Sequence, residues 1–458
     1  MKTSLRRTVL MLSAMGAAVI IAATTAGDRR GTPGSGRAHQ QMFGSPHQQA
    51  RQMIEEGQQI FRYDTYGDEA FWSGQLQIHQ ALAGLSPRQA LDLGVKVDSL
   101  ALPPRIVDAV KKGTAALDDP AVTATLLKKN ALLGVVGTFD GGGNLTAVGF
   151  TCAICHSTVD DSVGPGVGRR IDGLANRDLN VGAIIASAPN LQPVVDLLRF
   201  ANPATTLNDA RAALLAWGPG KFDAELLLDG KAFQPGGASA ATLIPNASGL
   251  SGHNLHTWTG GWGTVTYWNA FVANLELRGI GNFYDERLDN AAQFPIAAAA
   301  GFGHVTAEPD EDRITSKLPA LHFYQLALAA ARPRPEVDFN VAAAARGDVL
   351  FDGKANCNQC HVEPLWTEPG WNQHSADEMG IDSFQADRSP GHAYRTMGLA
   401  GIFVRENGLF MKPENKGRFY HDGRFATLFD VVSSYNQRFD LDLTEPEMRD
   451  LVEYLKSL

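Results

Sequence analysis

All four cysteines of this 458-residue chain fall into two copies of one pentapeptide, Cys152-Ala-Ile-Cys155-His156 and Cys357-Asn-Gln-Cys360-His361. Cys-x-x-Cys-His is the attachment sequence of c-type haem. Two thiols three positions apart reach the two vinyl groups on one edge of a porphyrin, and the next residue presents imidazole to the iron. Other uses of the spacing explain less. A redox dithiol does not call for His in both copies, and a four-cysteine zinc site leaves His156 and His361 without a role. Two covalently attached haem c groups are therefore expected, with His156 and His361 as proximal iron ligands. No cysteine is left over for a disulfide framework.

The chain opens MKTSLRRTVLMLSAMGAAVIIAATTAG. Lys2, Arg6 and Arg7 precede an apolar run from Val9 to Ala23, which reads as a secretory signal over residues 1–26. Cleavage after Ala26 or Ala38 is expected. An uncleaved N-terminal anchor is the alternative, and membrane contact is expected only in that case. The run is shorter than the ~20 residues a comfortable span needs. Covalent haem is attached outside the cytoplasm, so the chain is expected to cross unfolded by the general secretory route into the periplasm. Arg6-Arg7 is then leader charge rather than a twin-arginine signal. Losing the three leader cations takes the net charge from -9 to -12. That balance suits a basic electron donor and argues against a nucleic-acid partner.

Residues 27–47 are rich in Gly, Ser and Pro and read as a flexible lead-in. A helical pattern begins at Gln48. The segment ARPRPEVD, 331–338, interrupts two Ala-rich helical stretches and divides an N-terminal domain, 48–335, from a C-terminal one, 336–458. The last segment, TEPEMRDLVEYLKSL, predicts a helix opened by a capping box of Thr444 and Glu447, with Met448, Leu451, Val452 and Leu455 on its apolar face. Alternating strand patterns are scarce. The expected class is mainly α with long loops.

Around the second pentapeptide stand VAAAARGDVLFDGKANCNQCH, YRTMGLAGIF and GRFYHDGRFATLFDVVSSYN. This region resembles the C-terminal half of the bacterial di-haem cytochrome c peroxidase superfamily. That superfamily includes a di-haem enzyme that matures a tryptophylquinone cofactor, and it is related to bacterial rubber oxygenases. The resemblance is good over about 340–458 and much weaker over 48–335. It implies two cytochrome c-like helical domains with one haem each, the first enlarged by insertions. It also implies a reactive N-terminal haem and a C-terminal haem that relays electrons.

Function turns on the sixth iron position. No methionine lies between residues 54 and 378, so the first haem lacks a thioether ligand unless Met53 folds back. An open site remains, or one held by His, Lys or Tyr. His253 and His256, in SGHNLHTWTGGWGTVTYW, are the distal acid/base candidates, against the plainer reading of a packed aromatic loop. For the second haem, the resemblance places the distal ligand fourteen residues after the His of its (Tyr/Phe)-His-x-Gly motif. Counting from His421 gives Tyr435. Peroxidase members carry Met there and the tryptophylquinone-forming enzyme carries Tyr. Met397 and Met411 are rival ligands, and Tyr435 as a packed aromatic is the third reading. Arg169, Arg170 and Arg177 are expected to serve the propionates of the first haem, and Arg395 or Arg424 those of the second. Trp366 and Trp371 are candidates for the space between the haems. A Ca²⁺ ion, which relatives often carry, stays open, since no EF-hand-type loop is present.

The leading expectation is an exported di-haem c-type cytochrome with peroxidase-like oxidoreductase activity. Electrons from a small redox protein or a quinone-derived donor would enter at the second haem, and H₂O₂ or another small oxidant would react at the first. A non-catalytic electron-transfer cytochrome with two six-coordinate haems is one alternative. A haem oxygenase or cofactor-maturing enzyme is another. The size of the first domain favours catalysis, because a pure carrier has little use for so much cover over one haem.

Overall fold

The computed structural model describes residues 45–458, so the leader (1–26) and most of the lead-in (27–44) lie outside the described residues. The first helix, α1 (Pro46–Tyr63), starts two residues ahead of the expected Gln48. It buries Gly57, Ile60 and Phe61 along one stripe. The contact unit Ala50–Leu458 is mainly helical, and every sheet among the described residues is a two-stranded piece. One is the hairpin β1 (Val135–Phe139) and β2 (Leu145–Phe150). The first pentapeptide follows it on a single helical turn, α2 (Ala153–His156), which leads into β3 (Ser157–Val159), paired with β4 (Arg170–Asp172). The later elements that matter here are α3 (Val265–Phe271), running into a π-helical turn at Val272–Glu276, α4 (Leu318–Ala327), α5 (Val341–Asp352), α6 (Leu428–Arg438) and α7 (Glu445–Ser457).

The helices form two equivalent pairs. Gly57 of α1 lies so close to α4 that a Cβ there would strike the Ala320 carbonyl and the Tyr324 side chain. Gly347 of α5 meets α7 the same way, at the Asp450 carbonyl and Tyr454. One turn beyond each glycine stands a phenylalanine against that tyrosine. Phe61 and Tyr324 have ring centroids 5.6 Å apart, and Phe351 and Tyr454 5.0 Å. Leu321 and Leu451 are buried at the matching place. Cys152 packs on the first cluster and Cys357 on the second. These are two cytochrome c-like helical units, each closed by a crossing of its first and last helices.

The first unit is the larger because of what lies between its landmarks. Phe351 is followed almost at once by Cys357, whereas Phe61 and Cys152 are separated by several helices and the β1–β2 hairpin. The 331–338 segment runs without helix between α4 and α5. No helix among the described residues is long and apolar enough to cross a membrane.

Candidate haem sites

At the end of α5 the chain turns through Asn356, at φ +50°, into a 3₁₀ turn over Cys357–Gln359. The His361 amide then donates to the Cys357 carbonyl at 2.9 Å. His361 Nδ1 stands 2.9 Å from the Trp366 carbonyl. A carbonyl only accepts, so Nδ1 carries the proton and Nε2 keeps a free lone pair, the tautomer an iron ligand needs. Cys357, Cys360 and His361 open into a cavity of about 610 Å³, within the range of cofactor sites. Tyr435, Met397 and Met411 also line it.

Cations outnumber carboxylates in the wall of this cavity, whose one acid, Glu378, pairs with His374. Arg177, Arg395 and Arg405 are in its wall. Arg177 has a buried Nη1 with no partner, and burial together with Arg405 and Arg418 lowers its basicity. Burial pushes Arg395 and Arg405 down to about 10. A buried cation left without a counter-ion costs several kcal/mol, so the cavity is built for anions. The two propionates of a haem supply them, and the donor set fits the group: two thiols, one correctly protonated imidazole, three arginines. Arg177, expected at the first haem, lines this cavity and also acts on the His156 ring of the first pentapeptide. Arg424 is not available there, because it pairs with both Asp382 and Asp422. Arg169 is exposed, and Arg170 sits 3.3 Å from Asp98.

Tyr435 lies on α6 near both second-site thiols and Tyr420, and burial raises its phenol well above the usual range. The Met397 backbone lies against the His361 ring. Met411 follows Phe410, whose carbonyl accepts from Thr158 Oγ1 at 3.1 Å, so its loop is pinned to the segment after the first pentapeptide. His421 stacks on Tyr394 with centroids 5.2 Å apart.

The first pentapeptide is packed into the core. Thr151 Oγ1 donates to the Arg62 carbonyl at 3.1 Å and ties α2 to the end of α1. The Cys152 thiol lies against the Tyr66 phenol and is pushed up to about 12 by burial. Burial drives the His156 imidazole down to about 4, with the Pro245 carbonyl acting against it. Asn176 and Gly173 donate their amides to the carbonyls of Cys155 and His156, each at 2.8 Å. Met53 packs on the same cluster.

The two distal candidates part company. His253 lines the cavity that Cys357, Cys360 and His361 open into, together with Pro245 and Arg177, which act on His156. Two glycines make the approach: Gly252 turns at φ +86°, and a Cβ on Gly398 would stand 2.7 Å from His253 Cε1. His256 is buried within charge range of both His156 and His253. Trp366 packs on Phe351 and Tyr454, and Trp371 is 63% exposed, so Trp371 is a surface residue.

Glu276 closes the π-helical turn after α3 and was not singled out from sequence. One carboxylate oxygen is buried without a partner, and the group acts on both Cys152 and Cys155. Burial, with Glu225 nearby, pushes it up to about 8. The signal for it was an acid in the mostly apolar run Phe271–Leu277, whose only other polar residue is Asn274. Two further groups of side chains have metal-ligand spacing. In one, Asp382, His421 and Asp422, the two carboxylates already hold Arg424. In the other, Cys360, Glu368 and His374, the His374 ring bridges Glu368 at 2.6 Å and Glu378 at 2.8 Å.

No protein-family model matches the chain. Cytochrome-c peroxidase IdrP1 of Denitromonas iodatirespirans is 25% identical over 242 residues, covering 42% of this chain and 64% of that relative's length. Among solved structures, Kuenenia stuttgartiensis hydrazine synthase is 16% identical, with 48% of this chain and 74% of that one covered at a TM-score of 0.30. A MauG-like protein associated with microbial copper homeostasis is 19% identical, with 49% and 76% covered at 0.28. At those scores neither superposition carries weight. The chain resembles the bacterial di-haem cytochrome c peroxidase superfamily in its alignment with IdrP1 as well as in its motifs.

Proposed function

We propose that the protein is an exported, periplasmic di-haem c-type cytochrome that reduces hydrogen peroxide or a similar small oxidant. In this reading Cys152, Cys155 and His156 hold the reactive haem. Cys357, Cys360 and His361 hold a second haem that receives electrons from a small redox protein or a quinone-derived donor. Bound haem supplies the redox-active iron; the chain supplies ligands, counter-charge and protons. Tyr435 is the sixth ligand at the second site, with Met411 as its rival in the cavity wall. The leader sequence and the need to attach haem outside the cytoplasm support export by the general secretory route.

One observation carries the reading: Glu276, a partly buried carboxylic acid with one buried, unpartnered oxygen beside the first pentapeptide. Reduction of H₂O₂ takes two electrons and two protons and yields two waters. A group that holds a proton beside the reacting oxygen and takes it back is what that chemistry asks of the protein. Glu276 has the burial to stay protonated at neutral pH. The likeness to a cytochrome-c peroxidase supports the same reaction.

Optical and EPR spectra of the purified holoprotein test it. One haem is expected to be high-spin when ferric and to bind CO when reduced, while the other stays low-spin. Two low-spin haems that bind no CO in either redox state would refute the reading.

A further inference from the structure

The two haem units share more than their crossing helices. At one constant offset in sequence, HTWTGGWGTV repeats as FYHDGRFATL, from His256 and Phe419 respectively. The backbones agree at the points where agreement is least expected by chance. Thr257 and Tyr420 both take positive φ, +61° and +68°, which is uncommon outside glycine. Gly260 and Gly423 follow at +69° and +82°. Thr264 and Thr427 then cap the next helix, each accepting the amide three residues on, from Tyr267 and Asp430. The helices so started, α3 and α6, lie against the two pentapeptides. Tyr435 acts on Cys357 and Cys360, while Ala273 packs with Cys152 and Ala153, and Glu276 acts on Cys152 and Cys155.

Within this duplicated element, the residue eight positions after the cap is Tyr435 in the second unit and Val272 in the first. One turn further on stand Phe439 and Glu276. Phe439 packs on Tyr435 and lines the second cavity. Thus one copy offers a donor atom backed by an apolar ring. The other offers an alkyl side chain backed by an acid.

We propose that Val272 is the residue that keeps the sixth position of the first iron free of a protein ligand, by standing where the second unit presents Tyr435. The inference rests on the peroxidase reading above and names the position that makes the two haems unlike. A π-helical turn begins at Val272. Glu276 closes that turn, and such turns are frequent at functional sites.

The experiment compares holoproteins carrying Val272→Met, Val272→His, Val272→Ala and, separately, Tyr435→Val, each confirmed by mass to hold both haems. Val272→Met or Val272→His is expected to turn the high-spin ferric EPR signal low-spin and to weaken CO binding at that haem by about tenfold or more. Val272→Ala is expected to keep both native properties. Tyr435→Val is expected to create a second high-spin, CO-binding haem, and this arm stands even where a position-272 variant fails to assemble. A native-like high-spin signal in both Val272→Met and Val272→His, or a second haem unchanged in Tyr435→Val, overturns the proposal and leaves the peroxidase reading intact. A native protein with no CO-binding haem overturns both.

Discussion

Arg388, with no exposed side-chain surface, donates to both carboxylate oxygens of Asp229, at 2.8 Å from Nε and 3.0 Å from Nη2. The same guanidinium reaches Asp223 at 2.9 Å, and Asp223 is equally buried. This joins the segment 223–229 of the larger unit to 384–389 of the smaller. Trp262 Nε1 adds a bond to Glu225 at 3.3 Å in the same place. Arg388→Met would strand two carboxylates in the interior, and stranding one member of a buried pair costs about 3–5 kcal/mol. Urea denaturation of the holoprotein should show that loss; a loss under about 1 kcal/mol would mean that the two units hold together without this cation.

Tyr435→Phe removes the only phenol oxygen at the face of α6 that lines the second cavity. The optical and EPR spectra of one haem should change and those of the other should not. Met411→Leu, at the opposite loop of the same cavity, should leave both spectra as they are. The reverse pair of outcomes would make Met411 the ligand.

The parts of this molecule that were legible in sequence are those whose chemistry needs neighbours along the chain. Each pentapeptide must be contiguous to hold a porphyrin, and the Thr444–Glu447 capping box forms as its spacing predicts. The parts that were not legible depend on approach in space. His253 and Arg177 both sit nearer to the first pentapeptide in sequence than to the second, and both line the second cavity while Arg177 also acts on His156. Glycines at 252 and 398 are what admit His253, and a glycine states only that something is close, not what. Glu276 looked like one helical acid among many. Its meaning comes from the cover supplied around it, which no local pattern records.

Glu276→Gln keeps the shape and removes the exchangeable proton. The rate of peroxide turnover should fall by about 10²–10⁴-fold, the usual contribution of a positioned acid/base group. CO binding at the first haem should be unchanged, because Gln leaves access to the iron as it was. A variant that retains full turnover would transfer the proton role to another group. His256 is the next candidate, being buried within range of His156.

Asp68 gives the fold a pH dependence of its own, away from the iron ligands. It is fully buried just ahead of the π-helical turn Ala70–Gln75, and it accepts the Phe150 amide at 3.0 Å. Burial outweighs that bond and pushes its carboxyl up to about 9. In the unfolded chain an aspartate releases its proton near 3.9. Between roughly pH 4 and pH 9 the native state therefore binds the extra proton, and stability falls as pH rises across that window. Asp68→Asn keeps the acceptor and removes the titration. Urea denaturation at pH 5, 7 and 8.5 should show the variant gaining on the wild type with each step, by up to about 1.4 kcal/mol per pH unit. Parallel profiles would mean that Asp68 stays ionised in the fold, with its bond to Phe150 strong enough to offset its burial.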